Sequence, residues 1–233
     1  MTELPVFFFD LDNCLYSQKH GISQLMGEKI QDYFAKSLSL TTEDARQLHY
    51  RYYKDYGLAL QGLIKHHQID PMKYNAEVDD SLPLDQCLTK DPQLRQLLER
   101  IDRNKIRLWI LTNAYINHAR RVLKLLDVED LFEGITFCDY AEGENLTCKP
   151  YPEFYERAMR EAGIKDKDKC FFVDDSLTNV EGAVRFGWKE TIHFKEPLDH
   201  PSGHRPPSKG ISFKVIDSLN ELSSIYPQFM SKS

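Results

Sequence analysis

The chain has 233 residues, 41% of them hydrophobic and 28% charged, ordinary values for a soluble globular protein and enough for an α/β domain with an inserted cap. A net charge of −6 and the lack of any Lys/Arg block argue against a nucleic-acid polymer as partner. Cys14, Cys87, Cys138, Cys148 and Cys170 lack CxxC spacing, and neither a leader nor a membrane-spanning run is visible, so a zinc site and a disulfide framework are not expected. The expectation is a soluble protein with reduced thiols, cytoplasmic or also nuclear, with no membrane span.

Val6-Phe7-Phe8-Phe9 reads as a buried parallel strand ending in Asp10-Leu11-Asp12. In extended chain, residues i and i+2 point the same way, so both carboxylates are expected to converge on one reacting atom. Beyond Tyr16 the pattern turns helical. Ile22, Leu25, Met26, Ile30, Tyr33 and Phe34 share one helix face, and Thr41-Thr42-Glu43-Asp44 caps a second helix carrying Ala45, Leu48 and Tyr52. A third helix is predicted over roughly Leu58–His67, and Asp70-Pro71 opens another. Strands resume only at Ile106–Leu111, after an amphipathic helix near Leu94–Ile101. A helical block directly after the first strand reads as a cap domain over 17–84, on a core made of 1–16 and 85–233. Its hinges are expected near Leu15–Lys19 and Asp79–Leu84.

From there strands and helices alternate, which implies a parallel sheet with right-handed crossovers. The strand ending at Thr112 leads into a helix with Ala119, Val122, Leu125 and Leu126 on one face. A short strand at Ile135–Cys138 precedes a polar loop to Lys149-Pro150 and a helix burying Phe154, Ala158 and Ala162. Cys170-Phe171-Phe172-Val173 is a buried strand ending in Asp174-Asp175, followed by a helix that Gly187 caps. Thr191–Phe194 and Phe213–Ile216 are further strands, Pro197–Gly210 is a surface loop, and an amphipathic helix closes the chain.

Polar residues stand at four strand or loop ends: Asp10 with Asp12, Thr112 with Asn113, Lys149, and Asp174 with Asp175. Each alone also reads as a helix cap or a solvated side chain. Together they open on one edge of a parallel sheet, and the chemistry needing this set is phosphoryl transfer to a carboxylate. Asp10 would attack phosphorus, and Asp12 would protonate the leaving alkoxide and then activate water. Crowded carboxylates require a dication, and Asp10, Asp175 and a backbone carbonyl near Asp12 suit Mg²⁺, with Asp174 the other candidate ligand. Thr112 and Asn113 would bind phosphoryl oxygens, and Lys149 would offset the charge gathered there. Ser176 and Asn179 are expected to hold the metal-side carboxylates from behind.

Asp10-Leu11-Asp12-Asn13, Leu111-Thr112-Asn113, Lys149-Pro150 and Val173-Asp174-Asp175-Ser176 resemble, in order and spacing, the four motifs of the haloacid-dehalogenase-like phosphatases. The resemblance implies a Rossmann-like core, a helical cap inserted after the first motif, and Asp175 ahead of Asp174 as metal ligand. Cys14 stands where that family usually has Thr or Val and reads as a packing residue. Asp12–Tyr16, Tyr52–Leu58, Val78–Leu84, Thr112–Tyr115 and Cys138–Tyr140 are similar to the fungal pyrimidine 5′-nucleotidases. That likeness implies a small phosphomonoester substrate, a nucleoside 5′-monophosphate with pyrimidine preferred. Lysophosphatidic acid, on which related fungal enzymes act, is an alternative; a phosphomutase or a non-catalytic module is a more distant one. Tyr53 and Tyr56 are candidates for contacting base or sugar, against the alternative that they pack the cap helices.

Overall fold

The structure of the protein is a computed structural model that describes residues 3–197 and 205–231; residues 198–204 of the expected surface loop lie outside it. The first strand, β1 (Val6–Phe9), sends Val6 and Phe8 to one face and Phe7 and Phe9 to the other. Helices cover both faces, so all four positions are apolar and buried.

Helices then follow without a strand: α1 (Ile22–Leu38), α2 (Thr42–Tyr56), α3 (Ala59–His66), α4 (Pro71–Glu77) and the short α5 (Leu84–Cys87). Their start signals act as expected. Thr41 Oγ1 accepts the Asp44 N–H at 3.2 Å, and Asp70 Oδ1 accepts those of Met72 and Lys73 at 2.9 and 3.3 Å. Each cap satisfies donors that have no partner inside the helix, and Pro71 occupies a position where no N–H is needed. Ile30, Phe34, Ala45, Tyr52, Leu63 and Tyr74 form a cluster of their own, against which Cys138, Tyr140 and Cys148 also pack. Leu82 and Leu84 already belong to the cluster beneath the sheet.

The chain continues through α6 (Pro92–Glu99), β2 (Arg107–Leu111), α7 (Ile116–Leu126), β3 (Gly134–Thr136), α8 (Pro152–Glu161), β4 (Cys170–Asp174), α9 (Leu177–Phe186), β5 (Glu190–Phe194), β6 (Lys214–Ile216) and α10 (Leu222–Ile225). The strands pair in parallel in the order β3-β2-β1-β4-β5-β6, a Rossmann-like sheet. Side chains from α6, α7 and α10 pack on the Phe7 and Phe9 face, and those from α8 and α9 on the Phe8 face. There Trp188 stacks on Phe8 with ring centroids 4.8 Å apart. The expected α/β core with helices inserted after its first strand is the observed fold. Among the described residues no helix is long and apolar enough to cross a membrane.

β3 and the closing helix differ from expectation. β3 stops at Thr136 instead of reaching Cys138, whose N–H turns to the Ala114 carbonyl at 3.2 Å. β3 also starts one residue early, at Gly134, where a Cβ would come within 2.3 Å of the Trp109 ring. The closing amphipathic helix is a single turn, because Pro227 supplies no N–H to extend it.

The strand order reverses between β1 and β4, and their carboxyl ends flank the crevice where doubly wound sheets bind ligands. Asp10 follows β1, Thr112 follows β2, and Asp174 ends β4.

Candidate active site

The Asp10 N–H donates to the Val173 carbonyl at 3.0 Å, which carries the β1–β4 ladder up to the first acid. The chain then turns sharply. The N–H groups of Cys14 and Leu15 return to the Leu11 carbonyl, and Asn13 takes a left-handed φ of 60° that Asn tolerates better than most residues. Ser23 fixes that turn by donating to Asn13 Oδ1 at 2.7 Å.

The two acids expected to converge on one reacting atom differ in their partners. Carboxylate oxygens of Asp10, Asp174 and Asp175 lie within 4.8 Å of one another, and Asp12 is not in that group. Asp12 Oδ1 instead accepts from Tyr16 Oη at 2.6 Å and pairs with His118 Nε2 at 2.7 Å. Burial alone would push the Asp12 carboxyl up, but the charge and hydrogen bonds of His118, with the Tyr16 hydroxyl, hold it below the usual range. The same pair raises His118 in spite of complete burial. An ionised carboxylate only accepts, so Nε2 carries the proton in this contact.

Lys149 lies in the loop before α8, and its buried ammonium donates to Asp10 Oδ1 at 2.5 Å, Asp174 Oδ2 at 2.6 Å and the Leu111 carbonyl at 2.7 Å. All three of its donors are used. Burial disfavours the charged ammonium, but Asp10 and Asp174 outweigh it and raise its pKa. Burial pushes the Asp10 carboxyl well above the usual range, with Asp174 adding to the effect and Lys149 opposing it. Burial and Asp174 push Asp175 up to about 7. One lysine does not neutralise three crowded acids. The excess negative charge, borne by oxygen ligands, fits Mg²⁺.

The two adjacent acids differ. Asp174 is fully buried, and its oxygens accept from Lys149, from Asn179 Nδ2 at 3.1 Å to each oxygen, and from the Ser176 N–H at 2.7 Å. Asp175 is partly exposed, and among the described residues no other side chain hydrogen-bonds its carboxylate. Its carbonyl is paired with His193 Nε2 at 3.0 Å. Asp175 is therefore the acid left open to a ligand. Asn179 reaches Asp174 through its side chain as expected, whereas Ser176 does so through its backbone.

Asn113 holds the Lys149 backbone. Its Nδ2 donates to the Lys149 carbonyl at 2.9 Å and its Oδ1 accepts the Lys149 N–H at 2.8 Å. Oδ1 and one N–H of Nδ2 are thus used on the Lys149 backbone, and α7 begins only at Ile116, which leaves Asn113 in the preceding turn. The buried Thr112 hydroxyl oxygen accepts the Ala114 N–H at 3.0 Å. The Lys149-Pro150 segment is clamped by backbone: a Cβ at Gly57 would lie 2.9 Å from the Lys149 carbonyl oxygen, and one at Gly182 would lie 2.6 Å from Pro150 Cβ. Cys14 is buried, and burial pushes its thiol well up, as a packing residue requires.

Tyr53, 54% exposed, stands between two openings. Burial, with the charges of Asp175, Asp174 and Asp10, pushes its phenol up to about 12. Tyr56 lines the outer of these openings with Tyr53, and its hydroxyl lies 2.6 Å from His66 Nε2 in the packing of α2 on α3. The first opening is a cavity of about 360 Å³ reached by Asp12, Asn113, Tyr53 and His118. His118 and Asp79, which also faces this cavity, were missed by the sequence reading. The available signal for His118 was a lone polar residue in step with the apolar stripe Ala119, Val122, Leu126 of α7.

A group of acids and a buried lysine at the switch point of a doubly wound parallel sheet, with helices inserted after its first strand, define a class of α/β proteins. The chain belongs to the haloacid dehalogenase-like hydrolases, whose family model matches residues 4–187. It is similar to Phosphate metabolism protein 8 of Saccharomyces cerevisiae, 40% identical over 204 residues that make up 84% of this chain and 64% of that protein. The chain thus spans less than two thirds of that relative's length. Among solved structures it is similar to a variant of CbbY from Rhodobacter sphaeroides in complex with xylulose-(1,5)bisphosphate, at 17% identity and TM-score 0.64, covering 94% of this chain and 96% of that one. It is also similar to a HAD phosphatase from Thermococcus onnurineus, at 18% identity and TM-score 0.60, covering 98% and 100%. At such identities the likeness to solved structures establishes the fold alone.

Proposed function

We propose that this chain is a Mg²⁺-dependent phosphomonoesterase that acts through an aspartyl-phosphate, with residues 17–84 as its cap. The observation that carries the reading is the division of labour among the acids: Asp10 is held by Lys149 in the cluster, while Asp12 is held apart by His118 and Tyr16. An oxygen of Asp10 attacks phosphorus and the bond to the leaving oxygen breaks, with Asp12 relaying to that oxygen a proton drawn from His118 Nε2. A water then attacks the phosphorylated Asp10, Asp12 takes the proton, and phosphate departs with the bond to Asp10 broken. Lys149 offsets charge on the nucleophile and the phosphoryl group, and Thr112 offers its hydroxyl hydrogen to a phosphoryl oxygen. Asp10, Asp175 and the Asp12 carbonyl would hold Mg²⁺, which supplies neutralisation of the charge that accumulates there.

The substrate is proposed to be a nucleoside 5′-monophosphate, with pyrimidine preferred. The stretches resembling fungal pyrimidine 5′-nucleotidases support this, as does a cavity beside Asp12 large enough for a small leaving group. Phosphate release from nucleotides, sugar phosphates and lysophosphatidic acid, with and without Mg²⁺, tests it. The expected result is Mg²⁺-dependent turnover fastest with UMP or CMP. A preference for lysophosphatidic acid would replace the substrate, and no turnover of any monoester, p-nitrophenyl phosphate included, would reject the reaction.

A further inference from the structure

The wall of the cavity beside Asp12 carries polar groups that the proposed reaction does not use. His118 is fully buried, and its Nδ1 has no hydrogen-bond partner among the described residues, although Nε2 of the same ring is paired with Asp12. Asp79 is 2% exposed and lines the same cavity, and its Oδ2 accepts from Tyr140 Oη at 2.9 Å. His118 and Asp79 both line this one cavity. Most of the remaining wall is apolar, with Ile22, Met26 and Ile30 of α1 and Leu58 among the contributors. A buried ring nitrogen without a partner beside a buried carboxyl calls for a group that both donates and accepts.

The position of Asp12 fixes what enters. A proton donor must lie within hydrogen-bond reach of the oxygen it protonates, so the leaving group occupies the cavity that Asp12 lines. The outer groove around Tyr50, Lys54 and Arg205 is not lined by Asp12. Only the width of one imidazole separates the Asp12 contact from the free Nδ1. A ligand group at Nδ1 is therefore close to the leaving oxygen.

We propose that Asp79 and His118 Nδ1 form a subsite for a hydroxyl group of the leaving alcohol, carried near the phosphorylated carbon as in ribose or glycerol. The hydroxyl donates its one hydrogen to Asp79 and accepts from Nδ1–H of the protonated His118 ring, while Tyr140 holds Asp79 in place. Apolar walls receive what lies beyond it. This rests on the phosphomonoesterase reading above.

The test is steady-state hydrolysis by the full chain with Mg²⁺ of two matched pairs: UMP against 2′,3′-dideoxy-UMP, and 1-acyl lysophosphatidic acid against the analogue lacking its glycerol hydroxyl. The wild type is expected to favour the hydroxylated member of at least one pair by about tenfold or more in kcat/KM, because the analogue leaves buried polar groups unpaired. The pair that discriminates identifies ribose or glycerol as the source. Asp79→Leu is expected to bring that ratio to within about threefold of unity, and Tyr140→Phe, which keeps the ring and its packing, to reduce it by a smaller factor. Equal rates within both pairs for the wild type, or a ratio that survives both substitutions, overturn the subsite alone. No turnover of either pair or of p-nitrophenyl phosphate overturns the subsite and the phosphomonoesterase reading together.

Discussion

His118 Nε2, on α7, lies 2.7 Å from Asp12 Oδ1, on the turn after β1, across 106 positions of sequence. The contact fixes the rotamer of the proposed proton donor. His118 touches no reacting atom and so acts as a positioning residue. His118→Asn should lower kcat for an alkyl phosphate on the order of 10²-fold, within the range attributed to general acid–base catalysis. Turnover of p-nitrophenyl phosphate should fall much less, since p-nitrophenolate departs without a proton. Parallel kcat measurements on the two esters check this, and equal losses would show a general structural effect.

Asp10→Asn keeps the shape of the side chain and removes the nucleophile. Turnover should drop on the order of 10⁴-fold or more. The circular-dichroism spectrum should be unchanged, because the β1–β4 ladder bond uses the Asp10 backbone and not its side chain. A near-wild-type rate in the variant would reject covalent catalysis.

Lys149 is the only described cation bonded to the cluster, and removing it leaves buried acids without compensation. Lys149→Met should cost about 3–5 kcal/mol in urea unfolding at pH 7, the usual cost of breaking a buried pair from one side. Mg²⁺ in the millimolar range should raise the Tm of the wild type by preferential binding to the folded state. Asp175→Asn should abolish that rise, since it removes the carboxyl left open to the ion. A calorimetric titration of each variant with Mg²⁺ decides the point without any activity measurement.

Asp79 offers a pH test. Burial pushes its pKa up to about 6, while His118 and the Tyr140 hydrogen bond lower it and Asp12 and Asp80 raise it. Between the unfolded value near 4 and about 6 the folded state binds more protons, so stability falls as pH rises through that window. The penalty is absent below it and fully present above it, on the order of 3 kcal/mol. Asp79→Asn keeps an acceptor for Tyr140 and removes the titration. It should match the wild type near pH 4 and exceed it by about 1–3 kcal/mol at pH 8, measured by urea unfolding. A constant difference between the two pH values would assign the effect to packing.

Much of this protein is local and therefore legible in one dimension. The Val6–Phe9 run is apolar throughout because both faces of β1 are covered, and Thr41 and Asp70 start helices by satisfying N–H groups a few positions away. Asp10, Lys149 and Asp174 were readable as members of one site because a parallel sheet brings the ends of its strands to one edge. What was not legible depends on rotamers and on partners distant in sequence. Asn113 was expected to bind phosphate; that its carboxamide also holds the Lys149 backbone, 36 positions away, was out of view. The partners of Asp12 were likewise out of view: its carboxylate meets Tyr16 and, 106 positions away, His118.

The sequence by itself determined the order of strands and helices, the insertion of a helical block after β1, and which acids and lysine stand at the sheet edge. These follow from apolar periodicity, caps and the geometry of parallel crossovers, all of which act over short separations. Only the tertiary structure decided that Asp174 is saturated while Asp175 stays open, that His118 orients Asp12, and that Asp79 faces the cavity beside it. Those outcomes depend on which polar groups become buried together, and burial is a property of the packed chain that no segment carries alone.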